Sequence, residues 1–186
     1  YPPAHSYPNP GTYTITLIVT GIAGCVDTIT HNVTINPLPS ASFSVNPDTC
    51  TWSAAFVNTS QNSTNYSWNF GDATSSNQTN PTHNYSSAGP FTVTLTSTNA
   101  IGCTATSSHT VSYPALPVSS FTYQQALCSR FVTFTNTSTN ASSYSWNFGD
   151  AFTSSLANPS HSYAINGTYN VQLIVTSIYG CRDTLI

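Results

Sequence analysis

Apolar and polar residues alternate along most of this chain with a period of two residues. The alternation is clearest over Tyr13–Val19, where the intervening positions are mainly threonine, and it returns over Phe91–Leu95 and Tyr169–Val175. A strand with one apolar and one polar face is typical of a half-buried antiparallel sheet, and β-branched threonine suits such a strand. These segments are therefore predicted to be half-buried strands.

Shorter segments of the same kind lie between turn signals. Apolar residues mark strands at Phe43–Val45, around Phe56 and over Tyr66–Phe70, and glycine-containing turns such as Gly71-Asp72 and Gly102 separate them. No stretch shows a helical period. Six or seven short strands with turns every ~8–12 residues are typical of an all-β sandwich.

The chain repeats itself after a shift of 78 residues. The coinciding positions include Cys25, Cys103 and Cys181, then His5, His83 and His161, then Gly11, Gly89 and Gly167. We predict the C-terminal half of a domain at 1–36, a complete domain at 40–113, and a domain at 117–186 that stops inside its last strand. The first segment begins mid-pattern, so we expect an N-terminal part to be missing. Repeats of this length predict an elongated array of sandwiches.

Two proline-rich joints separate the segments. Asn36–Pro39 and Tyr113–Pro117 each contain two prolines, which favour extended backbone. They are predicted to act as semi-rigid spacers.

Composition excludes several classes of function. The 186 residues include 2 Lys+Arg and 5 Asp+Glu, so 4% are charged, against about 25% in an ordinary soluble domain. Such a chain lacks the basic surface that nucleic-acid binding needs, and it has no apolar run long enough to span a membrane. A surface rich in Ser, Thr and Asn suits a secreted protein, and its low charge favours lateral association.

One motif carries a family resemblance. Tyr66-Ser-Trp68-Asn-Phe-Gly-Asp72, followed by Asn80-Pro-Thr-His83-Asn-Tyr85 and Gly89-Pro-Phe91, resembles the polycystic kidney disease (PKD) domain. The third segment repeats the motif, the first retains Pro3-Ala-His5-Ser-Tyr7, and the resemblance covers nearly the whole chain. The family often has glycine where Ala73 and Ala151 stand, which loosens the turn assignment.

The resemblance implies immunoglobulin-like sandwiches of the kind found in extracellular stalks, adhesins, surface-layer proteins and secreted hydrolases. The cysteine-containing form is similar to repeats in large surface proteins of Bacteroidetes-like bacteria. We therefore expect a bacterial cell-surface or secreted location for this chain.

The repeated motif residues are interpreted as structural. Trp68 and Trp146 are expected in the core, and Asp72 and Asp150 are expected to accept backbone N–H bonds in their own turns. No second carboxylate lies nearby in sequence, whereas calcium sites use six or more oxygens. A catalytic histidine is normally single, so the recurrence of the histidine predicts half-buried rings bonded to backbone. These histidines are His5, His83 and His161.

The sequence contains no catalytic or cofactor-binding motif. No CxxC, HExxH, Gly-rich phosphate loop or Ser–His–Asp order is present, and the five carboxylates are unpaired. We therefore predict no enzyme activity, no cofactor and no metal site.

Five cysteines at repeating spacings indicate an oxidising compartment and disulfides. The obvious pairing is within a segment, Cys50–Cys103 and Cys128–Cys181. In the sandwich that the resemblance implies, however, Cys50 and Cys103 lie at opposite ends, more than ~20 Å apart by the strand rise, whereas a disulfide needs about 7 Å. The hypothesis is therefore an inter-domain bridge, Cys50–Cys181.

The same scheme assigns partners to the other cysteines. Cys103 is expected to pair with a cysteine in the missing start of the first segment, and Cys25 and Cys128 with units beyond the fragment. Bridges of this kind would stiffen the array under tension.

Two kinds of glycosylation motif occur. Most of the nine Asn-x-Ser/Thr sequons are expected by chance in so Asn-, Ser- and Thr-rich a chain, and they include Asn62 and Asn140. Asp27-Thr28-Ile29 and Asp183-Thr184-Leu185 are similar to the O-glycan acceptor of Bacteroidetes. Thr28 and Thr184 are thus candidate glycan sites, with plain exposed strand residues as the alternative.

The sequence favours a structural role in a long extracellular stalk or filament. The expected partners are further copies of the repeat, and self-assembly into a fibre and attached glycans are further hypotheses. The alternative is an accessory module of a secreted adhesin or hydrolase that binds carbohydrate or protein. A binding module predicts a flat row of exposed aromatic rings. The candidates for that row are Tyr66, Tyr123, Tyr144 and Tyr179.

Overall fold

The structure, a computed structural model, describes residues 4–186, and Pro3 of the motif in the first segment lies outside the described residues. Within that range the chain forms strands and no helix, so the predicted all-β class is confirmed. The strands are, in chain order, β1 (Gly11–Thr20), β2 (Val26–Ile35), β3 (Phe43–Asp48), β4 (Ser53–Asn58), β5 (Asn65–Asn69), β6 (Ser75–Ser76), β7 (Thr82–Asn84), β8 (Phe91–Thr98), β9 (Thr104–Val111), β10 (Phe121–Gln125), β11 (Phe131–Asn136), β12 (Ser143–Asn147), β13 (Thr153–Ser154), β14 (Ser160–Ser162), β15 (Gln172–Thr176) and β16 (Arg182–Leu185). Among these residues no helix offers the length and apolar character needed to cross a membrane.

The described chain divides into two compact units. Unit 1 contains the chain up to Ser44, Val57–Thr79 and Val93–His109, and unit 2 contains Val45–Phe56, Asn80–Thr92 and Thr110–Ile186. Both units take strands from the middle segment. The domain bounds 1–36, 40–113 and 117–186 therefore stay predictions.

Unit 1 begins with a long hairpin formed by β1 and β2. The two strands pair in antiparallel register over their full length, with Gly11 opposite Ile35. The alternation predicted the strand correctly, but its apolar face is largely exposed rather than half-buried, since Leu17 is 58% and Val19 55% exposed. Burial needs a second sheet over that face, and none of the described residues supplies one.

Most of the rest of unit 1 is the four-stranded sheet β6–β5–β8–β9. Trp68 on β5 lies opposite Leu95 on β8, and both side chains are fully buried. The Phe43 ring meets the Trp68 indole edge-on, with 5.0 Å between ring centroids. The indole N–H donates a 2.9 Å hydrogen bond to the Gln78 carbonyl oxygen, so the polar edge of this core residue is satisfied.

Unit 2 contains the sandwich of the third segment, formed by the sheets β10–β11–β14 and β13–β12–β15–β16. Its core is built from Val132, Phe134, Trp146, Phe148, Tyr163, Leu173 and Val175. The Trp146 indole lies 5.5 Å from the Phe134 ring and donates a 2.9 Å hydrogen bond to the Leu156 carbonyl oxygen. Trp146 thus makes the same kind of contacts as Trp68.

The other sheet of unit 2 is largely β3–β4–β7. Ala54 and Phe56 on β4 are buried. Tyr85 follows β7, and its ring stacks on Phe91 at 4.2 Å and lies 5.7 Å from the Tyr113 ring. The middle segment is therefore packed up to Tyr113, the first residue of the second proline-rich joint.

Candidate functional site

Cys50 and Cys181 form a disulfide within unit 2. Their Cα atoms are 5.1 Å apart, and their sequence separation is 131 residues. Cys50 lies in the turn between β3 and β4, and Cys181 directly precedes β16. The structure thus brings together the two cysteines expected to bridge the segments 40–113 and 117–186.

Polar side chains hold the backbone on both sides of the disulfide. The Cys50 N–H donates a 3.0 Å hydrogen bond to Asp48 Oδ1, and the Cys181 N–H donates a 3.2 Å bond to Ser177 Oγ. Hydrogen bonds from the Cys50 N–H and from the Thr51 hydroxyl lower the pKa of Asp48. The carboxylate stays charged and fixes the turn that presents Cys50.

A second contact ties the joint to the strand that follows Cys181. Asp183 Oδ2 accepts hydrogen bonds of 2.7 Å from both the backbone N–H and the hydroxyl of Ser119. These two bonds lower the pKa of Asp183. Ser119 lies just after the joint, so the joint is anchored to β16 next to the disulfide.

Side-chain donors also capture the carbonyl groups of the second joint. The Trp52 indole N–H donates a 3.1 Å bond to the Pro114 oxygen, and the Asn140 amide donates a 3.0 Å bond to the Leu116 oxygen. Proline lacks a backbone N–H, and these joints belong to no regular sheet ladder, so their carbonyl groups need such outside donors. Two carbonyl groups of the second joint, those of Pro114 and Leu116, are therefore fixed by side-chain hydrogen bonds.

Unit 1 uses the same device at the first joint. The Asn99 amide donates to the Pro37 oxygen at 3.3 Å, and the Asn62 amide donates to the Leu38 oxygen at 3.2 Å. Asn62 and Asn140 both adopt positive φ, 56° and 55°, which asparagine tolerates better than most residues. Sequence reasoning missed this role because the two asparagines were interpreted only as sequons, although they coincide under the 78-residue shift.

The aspartates of the repeated motif stabilise their own turns. Asp72 Oδ1 accepts hydrogen bonds from the Thr74 N–H at 3.1 Å and from its hydroxyl at 2.5 Å, and Asp150 Oδ1 accepts one from the Phe152 N–H at 3.3 Å. Each carboxylate follows a glycine at a strand end, as the motif requires. Among the described residues no group of three or more His, Cys, Asp or Glu side chains is arranged to hold a metal ion.

His161 differs from the prediction in its hydrogen-bond partner. Its Nε2 lies 2.7 Å from Asp150 Oδ2, so the ring bonds to a carboxylate rather than to backbone. Burial opposes ionisation of Asp150, but the hydrogen bonds from His161 and the Phe152 N–H outweigh it and lower the pKa of the carboxyl. The imidazole stacks on Phe148 at 4.3 Å and meets Tyr163 edge-on at 4.6 Å. Enclosed by rings, the pair acts as a clamp between a turn and β14.

The equivalent histidines also meet a tyrosine ring. His83 and Tyr85 lie edge-on at 4.6 Å, and so do His5 and Tyr7. The contact repeats with the sequence, as a structural role requires.

The three remaining cysteines form no disulfide in the described chain. Cys25 and Cys128 are exposed, and Cys103 is half-buried. The alternative bridges within a segment, Cys50–Cys103 and Cys128–Cys181, are accordingly not formed.

The candidate glycan acceptors lie on exposed strand positions. Thr28 is on β2, where its N–H donates to Asp27 Oδ1 at 2.8 Å, and Thr184 is on β16 opposite Ile174. In the second motif the acidic residue, Asp183, is engaged by Ser119. Glycosylation of Thr28 and Thr184 remains a prediction.

The aromatic candidates for a binding row differ in exposure. Tyr66 and Tyr144 are half-buried on β5 and β12, whereas Tyr123 and Tyr179 are 65% and 56% exposed. Tyr123 lines a cleft of about 450 Å³ on the third segment, together with Phe121.

Comparison with known proteins gives the following matches. A sequence profile described as the PKD domain matches residues 39–113 and 117–185. The chain is similar to a microbial collagenase of Vibrio alginolyticus, with 51% identity over 49 residues, 26% of this chain and 6% of that protein. It is also similar to collagenase ColA of Bacillus cereus, with 55% identity over 38 residues, 20% of this chain and 4% of that protein. The matches thus span only a small part of these curated relatives.

Solved structures give similar matches. The PKD1 domain of Vibrio anguillarum Epp is 31% identical, with 43% of this chain and 100% of that chain covered and a TM-score of 0.39. The PKD1 domain of the Vibrio cholerae metalloprotease PrtV is 30% identical, with 42% of this chain and 100% of that chain covered and a TM-score of 0.39. A structure described as carbohydrate-binding modules from the β-sandwich superfamily is 21% identical, with 77% of this chain and 56% of that chain covered and a TM-score of 0.40.

Proposed function

The chain belongs to the PKD-domain family, and from that premise we propose that it is a repeat segment of a long extracellular stalk or filament. Domains of this family are non-catalytic accessory modules. The proposed role is mechanical: the segment carries tension along the stalk and resists unfolding. It needs no cofactor, and it works outside the cell, where disulfides persist.

The observation that carries this proposal is the Cys50–Cys181 disulfide. Tension that enters the middle segment reaches Cys50 and crosses the sulfur–sulfur bond to Cys181, five residues before Ile186. The 131-residue span between them lies outside the load path. That span contains both buried tryptophans, Trp68 and Trp146, so neither core has to resist the full load.

The joints support the same role. A stalk transmits bending as well as tension, and a flexible joint would let neighbouring domains swing. The carbonyl groups of Pro114 and Leu116 are held by Trp52 and Asn140, which restricts the joint beyond the restriction of the prolines themselves.

The unpaired cysteines extend the proposal to neighbouring repeats. Cys103 is equivalent to Cys181, and Cys128 is equivalent to Cys50. In the parent chain each is proposed to form the same bridge with the next repeat on its side, and Cys25 would do likewise. Disulfide mapping by non-reducing digestion and mass spectrometry of the parent protein tests this point, and a Cys50–Cys103 peptide would contradict it.

Electron microscopy of the parent protein, purified without reductant, tests the stalk directly. We expect beads at a regular spacing of one domain along a fibre. Compact particles without a regular axial repeat would contradict the proposal.

A second candidate function is an accessory binding module of a secreted adhesin or hydrolase. The cleft lined by Phe121 and the exposed Tyr123 favours it, because flat aromatic rings suit carbohydrate stacking. Pull-down on chitin and cellulose, with Tyr123→Ala as the matched variant, separates the two functions. Retention that depends on Tyr123 would favour the binding module, and no retention would favour the stalk.

A further inference from the structure

The loop between β14 and β15 contains the only Asn-Gly dipeptide of the sequence, Asn166-Gly167. Both residues are exposed, and so are Ile165 and Thr168 on either side of them. The 78-residue shift places Ala88-Gly89 at the equivalent point of the middle segment, where no side-chain amide precedes the glycine. The dipeptide is therefore a feature of the third segment alone.

The loop is held beside the dipeptide but not at it. The Tyr169 hydroxyl donates a 2.9 Å hydrogen bond to the Ile165 oxygen, and the Tyr169 ring stacks on Tyr163 at 4.0 Å. Within residues 4–186, no hydrogen bond engages the Asn166 side chain or the Gly167 N–H. The side chain can therefore rotate and the backbone at Gly167 can adjust while the loop around them stays anchored.

Other asparagines of the chain are bound by their surroundings. The Asn140 amide donates to the Leu116 oxygen, Asn99 Oδ1 accepts two backbone N–H bonds, and Asn147 Oδ1 accepts one from the Gly149 N–H at 2.9 Å. None of these asparagines directly precedes a glycine. Turning such a side chain toward the next residue in the chain would break a hydrogen bond, which costs free energy.

We propose that Asn166 is a site of spontaneous deamidation, in which the Gly167 backbone nitrogen attacks the Asn166 side chain. The nitrogen gives its proton to hydroxide and bonds to Cγ. The bond from Cγ to Nδ2 then breaks, and Nδ2 takes a proton from water and leaves as ammonia. Water next opens the resulting cyclic imide at one of its two carbonyl groups, which yields aspartate or isoaspartate. No atom is oxidised or reduced.

Glycine at 167 serves this reaction rather than the fold. Gly167 does not adopt positive φ, and a Cβ atom there would meet only the Tyr169 ring, at 3.7 Å or more. Gly89, by contrast, has φ of +84°, and its Cβ would approach the Phe91 ring to 2.9 Å. Position 167 therefore accepts a side chain, but a Cβ beside the attacking nitrogen would hinder its approach to Cγ.

The modification changes the surface charge. Each event adds one carboxylate to a chain with a net charge of −3, in which only 4% of the residues are charged. Added acidic groups oppose association between molecules, so the segment becomes less prone to lateral association as it ages. Isoaspartate also lengthens the backbone of the loop by one carbon atom. This inference does not depend on the stalk function.

Timed incubation of the full chain at mildly alkaline pH tests the proposal. Peptide mapping by mass spectrometry separates the asparagine, aspartate and isoaspartate forms, and labelling with isoaspartyl methyltransferase identifies the last. We expect Asn166 to convert at least ~10-fold faster than any other asparagine. An acidic species should appear on isoelectric focusing at the same rate.

Two variants provide matched controls. Gly167→Ala should slow the conversion at least ~10-fold and leave the melting temperature unchanged, because the loop has room for the methyl group. Asn166→Gln keeps the amide but lengthens the side chain, so that attack would have to close a larger ring. The acidic species should then not form.

A comparison of folded and unfolded chains separates the loop from the dipeptide. The conversion of Asn166 in the folded chain should proceed within ~10-fold of its rate in guanidinium chloride, because the loop needs no unfolding to react. A folded chain that reacts more slowly than this would overturn the proposal. So would an unchanged rate in Gly167→Ala, or an acidic species that still forms at the wild-type rate in Asn166→Gln.

Discussion

At the residue scale, Gly149 of the repeated Trp-Asn-Phe-Gly-Asp motif lies where a side chain has no room. A Cβ atom there would approach the Asn170 oxygen to 2.7 Å, and the glycine has φ of +83°. Gly180 has the same φ but no atom within 4 Å of its Cβ position. A substitution at Gly180 therefore causes backbone strain alone, whereas the same substitution at Gly149 adds steric overlap.

The Gly149→Ala substitution is expected to destabilise the chain more than Gly180→Ala. Both place alanine in the left-handed region, which costs about 1–2 kcal/mol, and overlap with the Asn170 backbone adds about 1–3 kcal/mol for Gly149→Ala alone. Urea denaturation monitored by tryptophan fluorescence measures the difference. Equal losses for the two variants would show that the close approach to Asn170 costs nothing.

The lowered pKa of Asp150 leads us to expect that the folded chain loses stability in acid. Its pKa is lowered in the folded chain, so its contribution is present above the ordinary value near 3.8 and is lost as the pH falls through the folded value. Asp150→Asn removes the charge and should make the decline of the melting temperature below pH ~4 shallower. A thermal-melting series at pH values from about 5 to 2 checks this, and an unchanged slope for the variant would contradict it.

The sequence predicted a structural role for the motif residues more readily than it predicted their hydrogen-bond partners. Recurrence under a fixed shift was enough to predict a structural histidine. The ring nevertheless binds the Asp150 carboxylate, because folding brings residues 150 and 161 together across a turn that no sequence period describes. The asparagines at the joints were missed because they were interpreted only as sequons, although Asn62 and Asn140 coincide under the 78-residue shift.

At the element scale, the joints are held by side chains rather than by proline alone. The Asn140→Gly substitution keeps a residue that tolerates φ of 55° and removes the donor to the Leu116 oxygen. We expect a loss of about 1 kcal/mol in the free energy of unfolding and faster proteolysis at the joint. Proteinase K digestion under native conditions reports the second effect.

The Asn140→Asp substitution is the matched control for shape. Aspartate has nearly the same size and also tolerates positive φ, but the carboxylate only accepts hydrogen bonds. It should open the joint as Asn140→Gly does. Wild-type resistance in both variants would mean that the Asn140 hydrogen bond to the Leu116 oxygen does not restrict the joint.

The strands themselves were predictable because alternation is local. It predicted β1 correctly from Tyr13–Val19, yet the burial of that face was wrong, since burial depends on which sheet covers it. Alternation likewise predicted β8 and β15, where Leu95 and Leu173 are fully buried. The alternation of apolar and polar residues thus predicts which face of a strand is apolar, and the neighbouring elements decide whether that face is buried.

At the scale of the whole molecule, one disulfide closes most of the chain into a loop. Replacing Cys50 and Cys181 by serine frees a span of 131 residues in the unfolded state. Loop-closure entropy predicts a loss of about 4–5 kcal/mol in the free energy of unfolding. Urea denaturation of the Cys50→Ser, Cys181→Ser variant measures it. Cys25→Ser, at an exposed and unpaired position, is the control that should lose nothing.

The disulfide could be anticipated because the resemblance supplied a fold and the fold supplied distances. Cysteine spacing alone favours the bridge within a segment, Cys50–Cys103. That bridge is excluded by the strand rise, because the implied sandwich places Cys50 and Cys103 at opposite ends. The contacts that flank the bridge, such as Ser119 with Asp183, depend on the packed joint and had no sequence signal.

Stretching single molecules from their two ends tests the load path most directly. With the disulfide intact, the span of 131 residues between Cys50 and Cys181 cannot extend. Fully unfolded chains should therefore be shorter by about 430–470 Å than chains stretched in reductant, at ~3.3–3.6 Å per residue. The same final length with and without reductant would show that tension does not pass through Cys50 and Cys181, and would contradict the mechanical role.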